Sequence, residues 1–374
     1  MDTAPFLQRL NGVVAEVIAP SAAEVDQHAQ FPRSNLDALA KAGLLGLISA
    51  KEVGGLGEDT RAAALVVEKI AEACGSTAMV VCMHYCATAV LEKFGPTEVR
   101  KAIAAGRHVS TLAFSEAGSR SHFWAPLGTA TAAGGGIALD GMKSWITSAG
   151  EADSYVWSSK PVSAEGASTI WLVSAKAAGV STVAPFDGLG MRGNASSPVK
   201  GAGVQVTEAD RLGVDGGGFD IMMGVVLPTF QLLNASASLG IAESALGKAA
   251  AHAGQTKFQH LGQALAELPT IRAYLAKARI KLDAARALRD DTLAALQANR
   301  ADAMLRVLEV KAAAGETALE VTDTAMRVCG GAAFRKDVGI ERHFRDARAA
   351  SVMAPTSDVL YDFIGKAVCG LPLF

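Results

Sequence analysis

Cys82, His84 and Cys86 fall within one turn of an apolar run, a spacing that invites metal or thiol chemistry. A closed metal site needs about four ligands, and no further His, Cys, Asp or Glu follows at ligand spacing, so packing is the reading carried forward. The five cysteines (Cys74, Cys82, Cys86, Cys329 and Cys369) are odd in number and include no Cys-x-x-Cys pair. They read as reduced, buried thiols rather than a disulfide frame or a zinc site. His84 titrates near neutral pH if a pocket reaches it, but a lone histidine on an apolar run is first a core residue. A second concentration of chemistry is Glu341, Arg342, Arg345, Asp346 and Arg348. Charges at that density suit an ion-pair network at a bundle surface or a subunit contact better than proton transfer.

The elements that must hold these residues are legible from periodicity. In 374 residues, half are apolar and 19% are charged, which supplies a large core and excludes intrinsic disorder. The 35 basic and 37 acidic residues leave a charge of −2, without the basic excess that nucleic-acid binding requires. Residues 6–106 read as helical: Asn35 is placed as a cap, followed by helices over 61–74 and 76–94, the latter apolar almost all round. Residues 110–215 change texture to short runs bounded by Gly, Ser, Pro and Asp, as an all-β barrel or sandwich would. From 218 onward, helical periods over 232–246, 268–298, 304–328 and 357–368 suit an antiparallel bundle. No secretory leader and no run of about 20 uninterrupted apolar residues is read, so a soluble, cytoplasmic chain without membrane partners is expected.

Several segments then resemble one family in register. The run LGLISAKEVGGLG ending at Gly57, Leu112-Ala-Phe-Ser-Glu-Ala-Gly-Ser119, Gly141-Met-Lys-Ser-Trp-Ile-Thr-Ser-Ala-Gly150, Leu189-Gly-Met-Arg-Gly193, and Gly330-Gly331 with Glu341-Arg-His-Phe-Arg-Asp-Ala-Arg348 are similar to motifs of the acyl-CoA dehydrogenase superfamily. The resemblance covers nearly the whole chain. It implies an α+β fold with an N-terminal helical domain (1–108), a middle β domain (109–216) and a C-terminal four-helix bundle (217–374). It also implies FAD, an acyl-CoA or related acyl substrate, an electron acceptor protein or oxygen, and a homodimer or homotetramer. Carried over by motif, Phe114, Ser115 and Ser119 line one edge of the flavin, Trp145 lies against the rings, and Thr147 and Ser148 reach toward N5. Arg327, Gly331, Thr356 and Asp358 complete the cofactor contacts.

The same resemblance exposes a gap. The family takes the α-proton with a Glu whose usual position falls on Ala354, and the alternative position falls on Phe230. Neither side chain accepts a proton. The bundle Arg that helps hold CoA becomes Gln231, the Arg-x-x-Phe-Gly segment becomes Lys257–Gly262, and a further cofactor Gln falls near Pro269. His84 and Asp358 are candidate replacement bases, weighed against core packing and a helix-terminal carboxylate. Glu116 is read as structural, and His122 with Trp124 as a packed turn that shapes a pocket. The expected function is a flavin-dependent oxidoreductase acting on an acyl substrate without the usual Glu. The alternatives are a flavin monooxygenase of the same fold and a non-catalytic subunit in a mixed assembly with a paralogue.

Overall fold

The computed structural model describes residues 5–373. Its first layer is helical: α1 (Pro5–Val13) runs through a π-turn into α2 (Ala19–Gln27), followed by α3 (Arg33–Lys41), α4 (Thr60–Ala73), α5 (Gly75–Phe94) and α6 (Thr97–Ala104). Asp59 caps α4, its carboxylate accepting from the Ala62 amide at 2.9 Å. Asn35 does not cap a helix. It lies inside α3, buried, where its amide accepts from Ser21 and donates to Thr77 at 3.0 Å. An amide with donors and an acceptor is useful there because it ties α3 to two neighbours that offer only hydroxyls.

Eight strands follow: β1 (Ser110–Ala113), β2 (Thr129–Ala133), β3 (Gly136–Ile146), β4 (Ser154–Ser159), β5 (Thr169–Ser174), β6 (Val180–Thr182), β7 (Ser197–Val206) and β8 (Arg211–Leu212). They form two four-stranded sheets, ordered β1-β4-β5-β8 and β2-β3-β7-β6. Alternate inward residues, among them Leu139, Trp157, Trp171 and Val199, fill the space between them. Most of β3 pairs regularly with β7, but Lys143 faces Val199 while Ile146 faces Ser197. The surplus residue makes a bulge, and Trp145 within it takes a left-handed backbone (φ 57°). This bulge turns the indole out of the sandwich.

The third layer comprises α7 (Gly218–Ile221), a π-turn, α8 (Leu227–Gln255), a short hairpin of β9 (Lys257–Phe258) and β10 (Gln263–Ala264), α9 (Pro269–Gln297), α10 (Ala303–Cys329), α11 (Ile340–Val352) and α12 (Ser357–Val368). The segment 218–255 is long and apolar enough to cross a membrane by length and composition, with a mean hydropathy of 1.4. It is instead the central core helix, 89% buried over its most apolar window. At Gly240 it approaches α4 so closely that a Cβ would lie 2.2 Å from the Glu68 carbonyl oxygen. Glu68 itself, buried, receives Arg286 at 2.8 Å and Arg289, and Arg286 also binds Glu243 of α8 at 2.8 Å, so α4, α8 and α9 are joined by charge as well as packing. Four cysteines are buried as expected, but Cys369, on the turn after α12, is exposed.

Candidate active site

Where the three layers meet, a cavity of about 1130 Å³ opens, walled by α5, the loop after β1, the β3 bulge, the 186–196 loop, the start of α8, and α11 with the turn beyond it. Its walls are mostly apolar: Met79 and Met83 from α5, and Phe114, Leu227 and Phe230 among the others. Phe230 and Ala354, the two positions left without a carboxylate, both line it. The loop 186–190 reaches α11 only because residue 190 is glycine, since a Cβ there would sit 2.4 Å from the Arg345 carbonyl oxygen.

The loop carrying Phe114 and Ser115 is fixed from behind. The Ser144 amide donates to the Ser115 carbonyl at 2.8 Å. Lys143, fully buried, donates to Glu116 at 2.6 Å and to the Ser158 carbonyl and hydroxyl at 2.7 and 3.0 Å. Burial pushes the Lys143 ammonium down to about 8, opposed by the Glu116 charge. Glu116 also accepts from the amides of Leu127 (2.6 Å) and Gly128 (3.2 Å). All its capacity is spent on shaping the loop, in keeping with its structural reading.

Trp145 is 73% exposed and presents its indole to the cavity. Thr147 lines the same wall, its hydroxyl 3.2 Å from that of Ser196. Ser148 is buried in a left-handed conformation (φ 62°), and its hydroxyl has no partner among the described residues. Thr356 lines the cavity and bonds to the Ser121 hydroxyl at 3.2 Å. Behind Ala354, Lys311 on α10 is buried and donates to the carbonyls of Ala350 (2.9 Å), Met353 (3.0 Å) and Pro355 (2.7 Å). Burial pushes Lys311 down to about 7.

Thus Phe114, Ser115, Trp145, Thr147 and Thr356 come together around one space, and others of the motif-derived set do not. Ser119 turns back on its loop, its hydroxyl donating to the Glu116 carbonyl at 3.3 Å. Ser121, two residues on, takes the place at the wall. Ser148 lies behind the wall. Asp358 lines an adjoining chamber of about 550 Å³, with Trp124, Asp362 and Phe363, that shares only His122 and Val359 with the main cavity. Arg327 and Gly331 are exposed at the far end of the bundle, with the Arg327 guanidinium 5.2 Å from the centre of the Tyr274 ring.

His84 is a core residue. It does not line the cavity: its Nε2 donates to the Leu45 carbonyl at 3.1 Å and its Nδ1 accepts from the Ser110 amide at 3.3 Å. Both ring nitrogens are committed, and burial pushes its pKa down to about 4. The unfolded chain takes up this proton near 6.5 and the folded chain only near 4, so His84 erodes stability as pH falls through that window, by about 3 kcal/mol in all. His84→Gln preserves a donor and an acceptor without the titration. Urea melts at pH 7 and pH 4 should show the wild type losing that much more than the variant; equal losses would place the imidazole elsewhere.

The charge cluster is also placed differently from expectation. Rather than forming a surface network alone, it joins the layers. Arg345 binds Asp26 of α2 at 2.8 Å, Glu341 at 2.6 Å and the Leu189 carbonyl at 3.0 Å, while Asp346 accepts from the Met191 amide at 2.6 Å. Burial pushes Asp346 up to about 6. Arg345 and Arg348 face the cavity. Their spacing of three residues puts both on one side of α11.

Comparison with known proteins agrees with this arrangement. The acyl-CoA dehydrogenase N-terminal, middle and C-terminal domain families match residues 3–106, 111–204 and 216–369. The human mitochondrial short-chain specific acyl-CoA dehydrogenase is 30% identical over 362 residues, which is 95% of this chain and 87% of that protein. The 3-(aryl)acrylate reductase of Clostridium sporogenes is 30% identical over 350 residues, covering 91% and 92% of the two chains. The solved butyryl-CoA dehydrogenase of Megasphaera elsdenii superposes with a TM-score of 0.92 at 23% identity, over 99% of this chain and all of that one.

Proposed function

This chain belongs to the acyl-CoA dehydrogenase family, and we propose that it is a flavin-dependent oxidoreductase for an acyl-CoA or related acyl substrate that works without the family's carboxylate base. The observation that carries the reading is the cavity wall: Ala354 and Phe230 face it, and its only carboxylates among the described residues, Glu116 and Asp187, are paired with Lys143 and Arg192.

FAD fits the residues present. The cavity, about 1130 Å³, is slightly larger than the roughly 300–1,000 Å³ of an ordinary ligand pocket and so large enough for a fused three-ring system. Trp145 offers an open aromatic face, and the unpartnered Ser148 hydroxyl sits beside Thr147. When bound, the flavin supplies a two-electron acceptor. Around it, Phe114, Ser115, Thr147 and Thr356 bind and orient, Trp145 packs against the ring face, and Met79, Met83 and Phe230 keep water from the reacting carbons. No side chain at 354 or 230 takes a proton, so orientation and exclusion of water are what this chain itself contributes.

Arg327 and Gly331, far from the cavity in this protomer, support a homodimer or homotetramer in which they reach a neighbour's cofactor. Phe334 beside them is 80% exposed. An electron acceptor protein or oxygen would regenerate the flavin.

Thr147→Val tests the cofactor placement. It removes one hydroxyl and should weaken FAD binding roughly two- to tenfold without altering the far-UV spectrum. Unchanged affinity and redox potential would discard the Thr147 contact. The function itself is tested by adding butyryl-CoA to the FAD-loaded protein under anaerobic conditions. A perturbed flavin band with slow or no bleaching is expected, whereas no perturbation by any acyl compound would count against acyl chemistry.

A further inference from the structure

Three guanidiniums line the cavity, and they are not equivalent. Arg345 is fully engaged by Asp26 and Glu341. Arg120 and Arg348 have no carboxylate partner among the described residues. Arg120 sits on the loop after β1 in a left-handed backbone (φ 48°), a conformation that glycine adopts freely and that costs a side-chain-bearing residue roughly 1 kcal/mol. Arg348 projects from α11, one turn before Val352 and on the path to Ala354. Behind that turn lies the Lys311 amine, buried and bonded only to carbonyls. Of the cavity's two carboxylates, Glu116 is paired with Lys143, and Asp187, an exposed side chain, with Arg192. The wall therefore carries two solvent-exposed guanidiniums, Arg120 and Arg348, that no carboxylate among the described residues compensates.

We propose that Arg120 and Arg348 are specificity-determining residues that receive an ionised carboxylate carried by the substrate itself. The substrate class is then a free acid, or the monothioester of a dicarboxylic acid, rather than a simple fatty acyl thioester. The proposal rests on the acyl-substrate reading above and narrows it. A planar guanidinium pairs with a carboxylate through two parallel hydrogen bonds, and one from each side of the cavity would fix both the depth and the direction of entry. The mostly apolar wall between them, including Phe114 and Phe230, suits the hydrocarbon part of such a molecule.

The experiment is isothermal titration of the FAD-loaded protein with two matched pairs, crotonate against crotonamide and succinyl-CoA against butyryl-CoA, with the flavin-to-chain ratio measured separately for every sample. In the wild type the charged member of at least one pair should bind roughly ten- to a hundredfold tighter. The first pair identifies a free acid and the second a dicarboxylic thioester. Arg348→Gln and Arg120→Gly should each erase most of that preference with the flavin ratio unchanged; the glycine also relieves the backbone, so this variant remains folded. Equal binding within both pairs overturns the proposal. So does a preference that survives both substitutions while flavin is lost, because the guanidiniums would then serve the cofactor's phosphates. A wild-type protein that takes up no flavin fails the reading of the preceding subsection instead.

Discussion

Ala354→Glu should raise the rate of anaerobic flavin reduction by butyryl-CoA by roughly 10²–10⁴-fold, the range a well-placed general base contributes. Residue 354 lines the cavity on the turn after α11, and its neighbours Met353 and Pro355 are pinned by the buried Lys311 amine. A new carboxylate there enters a mostly apolar wall, which raises its pKa toward the range that suits a base near neutral pH. Stopped-flow bleaching of the flavin band measures the gain. Phe230→Glu, on α8 across the same cavity, is the comparison. A gain at 354 that is absent at 230 places the substrate's α-carbon near the α11 turn, and no gain at either position contradicts the geometry assigned to the cavity.

Lys143→Met should be the most damaging single substitution behind the site. Removing the ammonium leaves Glu116 charged and buried, and the Ser158 carbonyl without its donor. Breaking a buried pair from one side costs about 3–5 kcal/mol. Glu116 holds the Leu127 and Gly128 amides, so the loop bearing Phe114, Ser115 and Ser121 should loosen together with it. Urea unfolding reads the loss of stability, and FAD titration reads the loop. Adding Glu116→Gln to Lys143→Met should recover part of the deficit, because no unpaired charge then remains. A single variant within 1 kcal/mol of wild type would show that this pair does not hold the loop.

Much of the fold was legible because periodicity and burial coincide in it. The last helix matches its sequence reading at both ends, since Thr356 and Gly370 punctuate it. The change of texture over 110–215 marks the β layer, but β3 and β7 run well beyond their apolar stretches: their outer residues alternate toward solvent and include Gly and Lys. Strands β6 and β8, of three and two residues, are too short to carry a period. Helix α11 hid behind its charges: Glu341, Arg342, Arg345, Asp346 and Arg348 crowd its first nine residues, so chemistry caught the eye before the amphipathic spacing of Ile340, His343 and Ala347. In the site, motif register picks out Trp145 and Thr147, and both line the cavity. It did not show that the loop's extra turn, with the Ser119 hydroxyl on the Glu116 carbonyl, advances Ser121 instead. Nor does one-dimensional spacing reveal where both nitrogens of His84 are spent, or that Lys311, forty-three residues before Ala354, braces the turn that carries it.

The proposed function requires a flavin lodged between the β3 bulge and the turn after α11. The direct measurement is equilibrium dialysis of the purified protein against FAD, with the visible spectrum and tryptophan fluorescence of wild type and Trp145→Phe recorded at saturation. One flavin per chain is predicted, with a shifted absorbance band and fluorescence quenching that is smaller in the variant by the Trp145 contribution. No uptake at FAD concentrations of tens of micromolar, or uptake that leaves Trp145 emission unchanged, would contradict it.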